Sequence, residues 1–582
     1  MDAVAEATWA LRRTIDADHP HYRWVALSNT TLGMLMATIN SSIVMISLPA
    51  IFRGIHIDPL AHGNVSYLLW MIMGFLLVTA VLVVSVGRLG DIYGRVRIYS
   101  MGFAIFTAAS IALALDPLTG GGGALWLIIW RVVQGVGAAM LFANSAAILT
   151  DAFPPDRRGM AMGINQVAAI AGSFIGLIAG GLLSEVDWRL VFFVSVPFGL
   201  LGTIWSYASL REIGERSPAR IDVWGNLTFG LGLTAILVAI TYGIQPYGGS
   251  TMGWTNPWVD AGLVGGAALL AVFCIIETKV PEPMFHMQLF RIKAFSAGNL
   301  AGWLASIARG GMQFMLIIWL QGIWLPLHGY KFADTPLWAG IYLLPLTIAF
   351  LAAGPISGYL SDRFGARAFA TGGLLIVAAS FAGLMALPTN FPYWEFAALL
   401  AINGIGSGLF SSPNTTAIMN AVPASTRGAA SGMRSTFFNS GTSLSIGIFF
   451  SLMILGLAHN LPHTLTSGLE AHHVPSNIAT AIGNAPPVAS LFAAFLGYNP
   501  IQTLLGPHVL STLPPTDAAV LTGRTFFPSL IAGPFHDGLV VVFAMAIAMS
   551  VIGAVASLFR GARYVHDEAE RRPTATPAAQ GA

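Results

Sequence analysis

Apolar runs bounded by Gly, Pro and clustered charge follow one another along the chain, at 24–50, 66–87, 97–115, 125–149, 160–183, 189–210, 222–245, 257–277, 296–325, 337–359, 368–387, 394–421, 428–457 and 538–559. Each is of the length that crosses a bilayer as a helix, ~20 predominantly apolar residues. Hydrocarbon offers no partner to the backbone, so open strands and loops are excluded and the runs predict helices. The fold class is therefore all-α and integral to a membrane, with fourteen spans. The run from Trp24 follows a polar stretch with Arg12, Arg13 and Arg23 and is too long for a signal-peptide core, so it reads as a retained first span.

Basic residues orient the spans, because Lys and Arg are retained on the cytoplasmic side. With the N-terminus inside, only Arg53, Arg189, Lys331 and Arg524 of the 28 basic residues fall outside. Arg131, Arg309 and Arg434 fall within spans, and the remainder are cytoplasmic. Adding or removing one span would invert every later loop, so the separation supports an even count and places both termini in the cytoplasm, as a plasma-membrane protein.

The sequence also repeats itself. Gly87-Arg-Leu-Gly-Asp91-Ile-Tyr-Gly94 recurs as Gly358-Tyr-Leu-Ser-Asp362-Arg-Phe-Gly365, Gln134-Gly-Val-Gly137 as Asn403-Gly-Ile-Gly406, and Arg158-Gly159 as Arg427-Gly428. All three pairs step by eight spans, so two six-helix halves are separated by two extra helices. The expected division is a cytoplasmic segment 1–23, a six-helix bundle 24–210, inserted helices 222–277, and a six-helix bundle 296–560 with an external loop 458–537. A polar cytoplasmic tail, 561–582, is expected to be disordered. The apolar patch Leu491–Gly497 in the external loop is too short to span, and predicts a folded cap or interfacial helix; a part in substrate handling is the alternative.

Composition narrows the function classes. The chain is 55% hydrophobic and 9% charged, against about 25% charged in soluble domains. A net charge of +2 gives no electrostatic footprint for nucleic acid. The lone Cys274 excludes an internal disulfide and a cysteine metal cluster. The chain holds no Gly-x-x-x-x-Gly-Lys-Ser/Thr phosphate loop, which disfavours a primary pump. His459, His463, His472 and His473 lack a metalloenzyme spacing, so no metal, cofactor or enzymatic activity is expected.

The loop Gly87-Arg-Leu-Gly-Asp91-Ile-Tyr-Gly94-Arg95-Val-Arg97 resembles the signature loop of the major facilitator superfamily, and its second copy carries Gly358, Asp362, Arg363 and Gly365. The resemblance implies the major facilitator fold, here 14 transmembrane helices in a 6+2+6 arrangement, and a cytoplasmic gate built on those residues. Arg131-Val-Val-Gln134-Gly resembles the family's intramembrane Arg-x-x-Gln-Gly motif. Gly172, Gly176, Gly180 and Gly181 resemble its antiporter motif, with Leu177 where proline is usual. Asp187-Trp188-Arg189 resembles the external loop of the fourteen-helix drug:proton antiporters. That branch implies a monomeric exporter of small amphipathic substrates, coupled to protons.

Helix 1 departs from the branch pattern, because Asn40 stands where an acid is expected, and an amide cannot titrate. Asp222 and Glu277 fall at cytoplasmic helix ends, Asp260 and Glu395 at external ones, so the midplane holds arginines and no acid. Ser306, Arg309 and Gln313 share one helical stripe, and Asn403, Asn414 and Asn439 add polar positions on spans 12 and 13, the geometry of a cavity lining. The leading expectation is a secondary exporter working by alternating access. The alternative is a transporter of neutral or anionic lipid-like or metabolite substrates with little or no proton coupling; any coupling would then use rim acids or substrate ionisation.

Overall fold

The structure, a computed structural model, describes residues 19–57, 64–154, 157–213, 222–423, 426–496 and 499–560. The tail 561–582 and most of segment 1–23 lie outside the described residues, as do the side chains of Arg158, Gly159, Asp362, Arg427 and Gly428. Among the described residues are 14 helices long and apolar enough to cross a membrane. They are α1 (Tyr22–Gly54), α2 (Asn64–Tyr93), α3 (Arg95–Ala114), α4 (Gly120–Ala152), α5 (Arg158–Val186), α6 (Leu190–Ser209), α7 (Val223–Gly243), α8 (Pro257–Lys279) and α9 (Lys293–Leu327), then α10 (Thr335–Tyr342 continuing as Leu344–Phe364), α11 (Ala366–Ala386), α12 (Tyr393–Asn420), α13 (Arg427–Glu470) and α18 (Phe526–Leu558). Between α13 and α18 lie α14 (Ser476–Gly483), α15 (Pro487–Phe495), α16 (Pro500–Thr512) and α17 (Pro515–Leu521).

Helices α1–α6 form one half, and α9–α13 with α18 the other. The inserted pair α7 and α8 pack on each other, and α7 also touches α2 and α13. The sequence repeat is a repeat of contacts. A Cβ added to Gly135 on α4 would meet the Phe75 carbonyl of α2, and one on Gly404 of α12 the Leu346 carbonyl of α10. Gly137 lies in the same way against Gly102 and Phe106 of α3, and Gly406 against Gly373 and Val377 of α11. Small residues let the backbones approach where lipid supplies no hydrophobic drive for helix association. A fourth pair was not read from the sequence: Gly172 of α5 packs on Leu35 and Thr38, and Gly441 of α13 on Trp303 and Ser306.

The last two spans differ from the expected bounds. Helix α13 continues past 457 to Glu470 and α18 begins at Phe526 rather than 538, so the connecting segment is shorter than 458–537, and His459, His463 and His536 are helical. Pro462 and Pro534 lie inside these helices. Residues 491–495 of the apolar patch lie in α15, a largely buried nine-residue helix bent 82° from α14; Gly497 lies outside the described residues. Phe492 packs on Phe450 (4.9 Å between ring centroids) and Phe495 on Phe314 (5.6 Å). The Ala494 backbone closes on Gly322, in the π-helical turn Leu320–Trp324 of α9. Helix α15 thus forms a cap over α9 and α13.

The cap is clasped to the end of α13 by Asp517, whose carboxylate accepts from Nδ1 of His472 (3.2 Å) and His473 (2.8 Å). Those hydrogen bonds, His472's first, hold the Asp517 carboxyl below its usual range. A depressed carboxyl pKa contributes stability in full above the unfolded carboxylate range, and that contribution is lost as pH falls through the folded value. Asp517→Asn is therefore expected to speed proteolysis within 471–525 at neutral pH, whereas the native chain should show that sensitivity only in acid. Equal cleavage of both at neutral pH would refute the clasp.

Candidate functional site

Arg131, buried, and Arg309, half-buried, both lie within spans, and they differ in how they are satisfied. Arg131 on α4 is 1% exposed. Its Nη1 donates to Asn40 Oδ1 on α1 and to Gln134 Oε1 (2.8 Å), its Nε reaches the Met71 carbonyl of α2 (3.3 Å), and its guanidinium carbon lies 4.4 Å from the Phe75 ring centroid. Gln134 Nε2 in turn donates to Ser110 Oγ on α3 (2.8 Å), and Asn40 Nδ2 to Ser195 Oγ on α6 (3.3 Å). Five helices thus converge on one guanidinium. The partners are amides, hydroxyls and a carbonyl, so the network keeps a net positive charge.

Arg309 on α9 has no hydrogen-bond partner or counter-charge among the described residues. Its guanidinium lies between Phe350 of α10 (5.9 Å) and Phe438 of α13 (5.5 Å). Gln313 and Asn439, both half-buried, likewise have no side-chain hydrogen bond among the described residues. The rest of the expected lining is otherwise engaged. Ser306 donates to the Trp303 carbonyl (2.7 Å) and lies in the α9–α13 seam. Asn403 accepts from Ser407 (3.4 Å); Asn414 donates to the Gly298 carbonyl (3.1 Å) and accepts from Arg560. Of these, Asn414 ties helices together, whereas the Ser306 and Asn403 bonds lie within one helix and Asn403 Nδ2 is buried without a partner among the described residues. Phe350 and Phe438, the flanks of Arg309, were not singled out in the sequence, where they are two of 35 phenylalanines.

The repeated loop is a pair of tight turns at the basic end. Gly94 (φ 110°) and Gly365 (φ 88°) stand at equivalent positions with backbone angles that favour glycine. Arg95 bridges Asp91 (2.8 Å) and Asp151 at the end of α4 (2.6 Å), and the Arg97 amide donates to Glu212 beyond α6 (2.9 Å). Arg88 reaches the segment between α8 and α9, donating to the Pro283 carbonyl (2.7 Å) with Glu282 at 3.8 Å. Gly87 lies beside Ala143 of α4, and Gly358 beside Ser412 of α12. Arg363 lies over Tyr359 (5.2 Å). Asp151 and Glu212 were missed in the sequence because neither lies in the motif.

At the opposite end, Asp187 Oδ1 accepts from the Arg189 amide (2.9 Å), and Arg189 lies over Trp188 (4.6 Å) and donates to the Asp116 carbonyl (3.2 Å). Trp188 packs against Gly54. The helix 5 glycines divide by direction: Gly172, Gly176 and Gly180 face α1, while Gly181 faces Leu337 of α10, in the other half. Gly340 returns the contact, against the Leu177 carbonyl, and Gln321 Nε2 donates to the Ile46 carbonyl of α1 (3.4 Å). Along α5 and α10 the contact is concentrated in Thr335–Tyr342, so the halves are sealed together at this end.

Two matching helical halves, in contact at one end and carrying charged loops at the other, with arginines in the interior, are the plan of a membrane transporter. The chain belongs to the Major Facilitator Superfamily, whose family model matches residues 30–446. It is 27% identical over 538 residues to the tetracenomycin C resistance and export protein of Streptomyces glaucescens, covering 92% of this chain and 91% of that one. It is 26% identical to the riboflavin transporter RibZ of Clostridioides difficile, covering 78% and 93%. In fold it is similar to a bacterial homologue of the human lysosomal transporter Spinster (TM-score 0.57, 16% identity, 94% of this chain and 100% of that one).

Proposed function

We propose that the chain exports amphipathic small molecules across the plasma membrane by alternating access, with its basic end and both termini in the cytoplasm. The relatives named for resistance and export support the direction, and the seal between the halves at the opposite end supports the mechanism. Arg309 carries the reading of the substrate. A guanidinium held between two rings, with its N–H groups unengaged, accepts a carboxylate or another oxygen-rich head group while the rings take the apolar body. Arg131 is engaged through Nε and Nη1, and its role is to position α1 against α4.

The test is movement of a fluorescent amphiphile into inside-out vesicles under an imposed ion gradient without ATP. Gradient-dependent accumulation is the expected result; strict ATP dependence, or conversion of the probe without movement, overturns the reading. Arg309→Gln is expected to weaken binding of an anionic amphiphile about tenfold, the scale of a lost charge-assisted pair, and to spare its cationic analogue. Equal loss of both would refute the assignment of Arg309.

A further inference from the structure

The interior offers no carboxylate to carry a proton, but the two inserted helices bring a buried acid pair together at the basic end. Asp222 caps the first turn of α7 and Glu277 lies in the last turn of α8, 8% and 2% exposed. Each has one satisfied oxygen: Asp222 Oδ1 accepts from the Gly225 amide (2.8 Å), and Glu277 Oε2 from the Phe285 amide (2.8 Å). The other two, Asp222 Oδ2 and Glu277 Oε1, are buried without a donor among the described residues. Both press on the same point beside the Gly225 Cα, so they face one another.

Among the described residues the surroundings supply no ion-pair partner. Cys274 lies one turn earlier on α8 and is neutral as a thiol. Lys279 at the end of α8, Glu282 and His286 on the following segment, and Arg88 of α2, which donates to the Pro283 carbonyl, are charged or titratable side chains on the adjoining described elements, and neither Asp222 nor Glu277 forms an ion pair among the described residues. Burial, and then the charge of Arg88, push the His286 pKa down, which leaves that imidazole neutral. The packed face of α13 contributes Phe437, which does not titrate. Two adjacent buried carboxylates cannot both ionise cheaply, whereas one proton between them turns two orphaned oxygens into a hydrogen bond.

The pair also holds the segment that the gate loop grips. Phe285, anchored by Glu277, packs among Phe229, Phe273 and Phe437, with centroids 6.1, 5.4 and 6.0 Å away. Two residues earlier, the Pro283 carbonyl receives Arg88 of the repeated loop. We propose that Asp222 and Glu277 share one proton, and that its exchange with water at the basic end sets the anchorage of residues 280–292 and, through Arg88, of the gate loop. This proton site rests on the transporter reading for its purpose. It lies in the inserted helices rather than at the midplane, where Asn40 cannot titrate.

Infrared spectroscopy of the protein in nanodiscs tests the shared proton without substrate. A protonated-carboxyl carbonyl band is expected at neutral pH in the native chain, disappearing in alkali and missing from Glu277→Gln and Asp222→Asn. No such band in the native chain, or a band that survives in both variants, overturns the proposal. The anchorage is read by thiol labelling of Met284→Cys, a position 3% exposed, in a Cys274→Ser background. Labelling is expected to rise at least tenfold over the pH interval in which the band disappears, and to stay flat when Glu277→Gln is added. A titrating band with constant labelling overturns the link to the gate. Neither measurement needs flux, so a chain that shows both responses and moves no substrate would refute the proposed export and leave the acid pair standing.

Discussion

Arg131→Ala is expected to abolish transport and sharply reduce the yield of folded protein. The substitution removes the donor to Asn40 Oδ1 and to Gln134 Oε1, both on side chains that are 0% exposed. Leaving a buried polar group unpaired costs about 1–3 kcal/mol, and two such groups together with the cavity beside Phe75 make several kcal/mol. Whole domains are stable by only ~5–15 kcal/mol. Arg131→Lys keeps the charge but cannot serve Asn40, Gln134 and the Met71 carbonyl in one plane, so partial recovery is expected. Size-exclusion yield and thermal midpoint in detergent are the measurements; a native melting curve for Arg131→Ala would refute the network. Asn40→Asp is the informative converse. It gives Arg131 a counter-charge and should raise the midpoint at neutral pH, with the gain lost on acidification as that carboxylate takes a proton.

Gly181→Leu is expected to abolish transport while leaving the protein folded. A Cβ at Gly181 would collide with the Leu337 backbone on α10, across the two halves, and backbone does not move aside as a flexible side chain can. Overpacking of this kind costs about 1–3 kcal/mol, enough to shift a two-state equilibrium by factors of about 5–150. The penalty falls on the sealed arrangement alone, because each half keeps its own packing. Cysteine placed at Gln321, which is 0% exposed, should then become labelled from outside by an impermeant reagent. Gly172→Leu is the contrast. It collides with Leu35 and Thr38 of its own half, so it should lower folded yield without exposing position 321. Identical labelling of position 321 in the two backgrounds would sink the distinction.

Much of the molecule was legible in the sequence because the bilayer restricts what an apolar run can be. Fourteen runs became fourteen helices, since a backbone in hydrocarbon must satisfy itself within each segment. The repeat register was legible because glycine is irreplaceable where two backbones touch, and the pairs Gly135/Gly404 and Gly137/Gly406 make equivalent contacts. The ends of α13 and α18 were misjudged because hydropathy falls at the membrane surface while helical hydrogen bonding continues beyond it. Ser306, Asn403 and Asn414 were expected in a cavity lining by periodicity; Asn414 also bonds across to α9 and to Arg560, a use that an amide on a stripe serves equally.

The sequence by itself determined the span count, the two-half plan, the repeated charged loop and the presence of arginines without acids in the interior. These are one-dimensional properties, set by composition, period and spacing. Tertiary structure alone decided which arginine is satisfied and which is not, because that depends on groups contributed by helices distant in the chain. Arg131 finds Asn40, Gln134 and the Met71 carbonyl, whereas Arg309, among the described residues, finds two phenyl rings. It also decided that Asp222 and Glu277, two unremarkable helix-end acids in the sequence, face each other with no ion-pair partner among the described residues. Whether a charge is structural or chemical follows from its surroundings, and those exist only once the chain has folded.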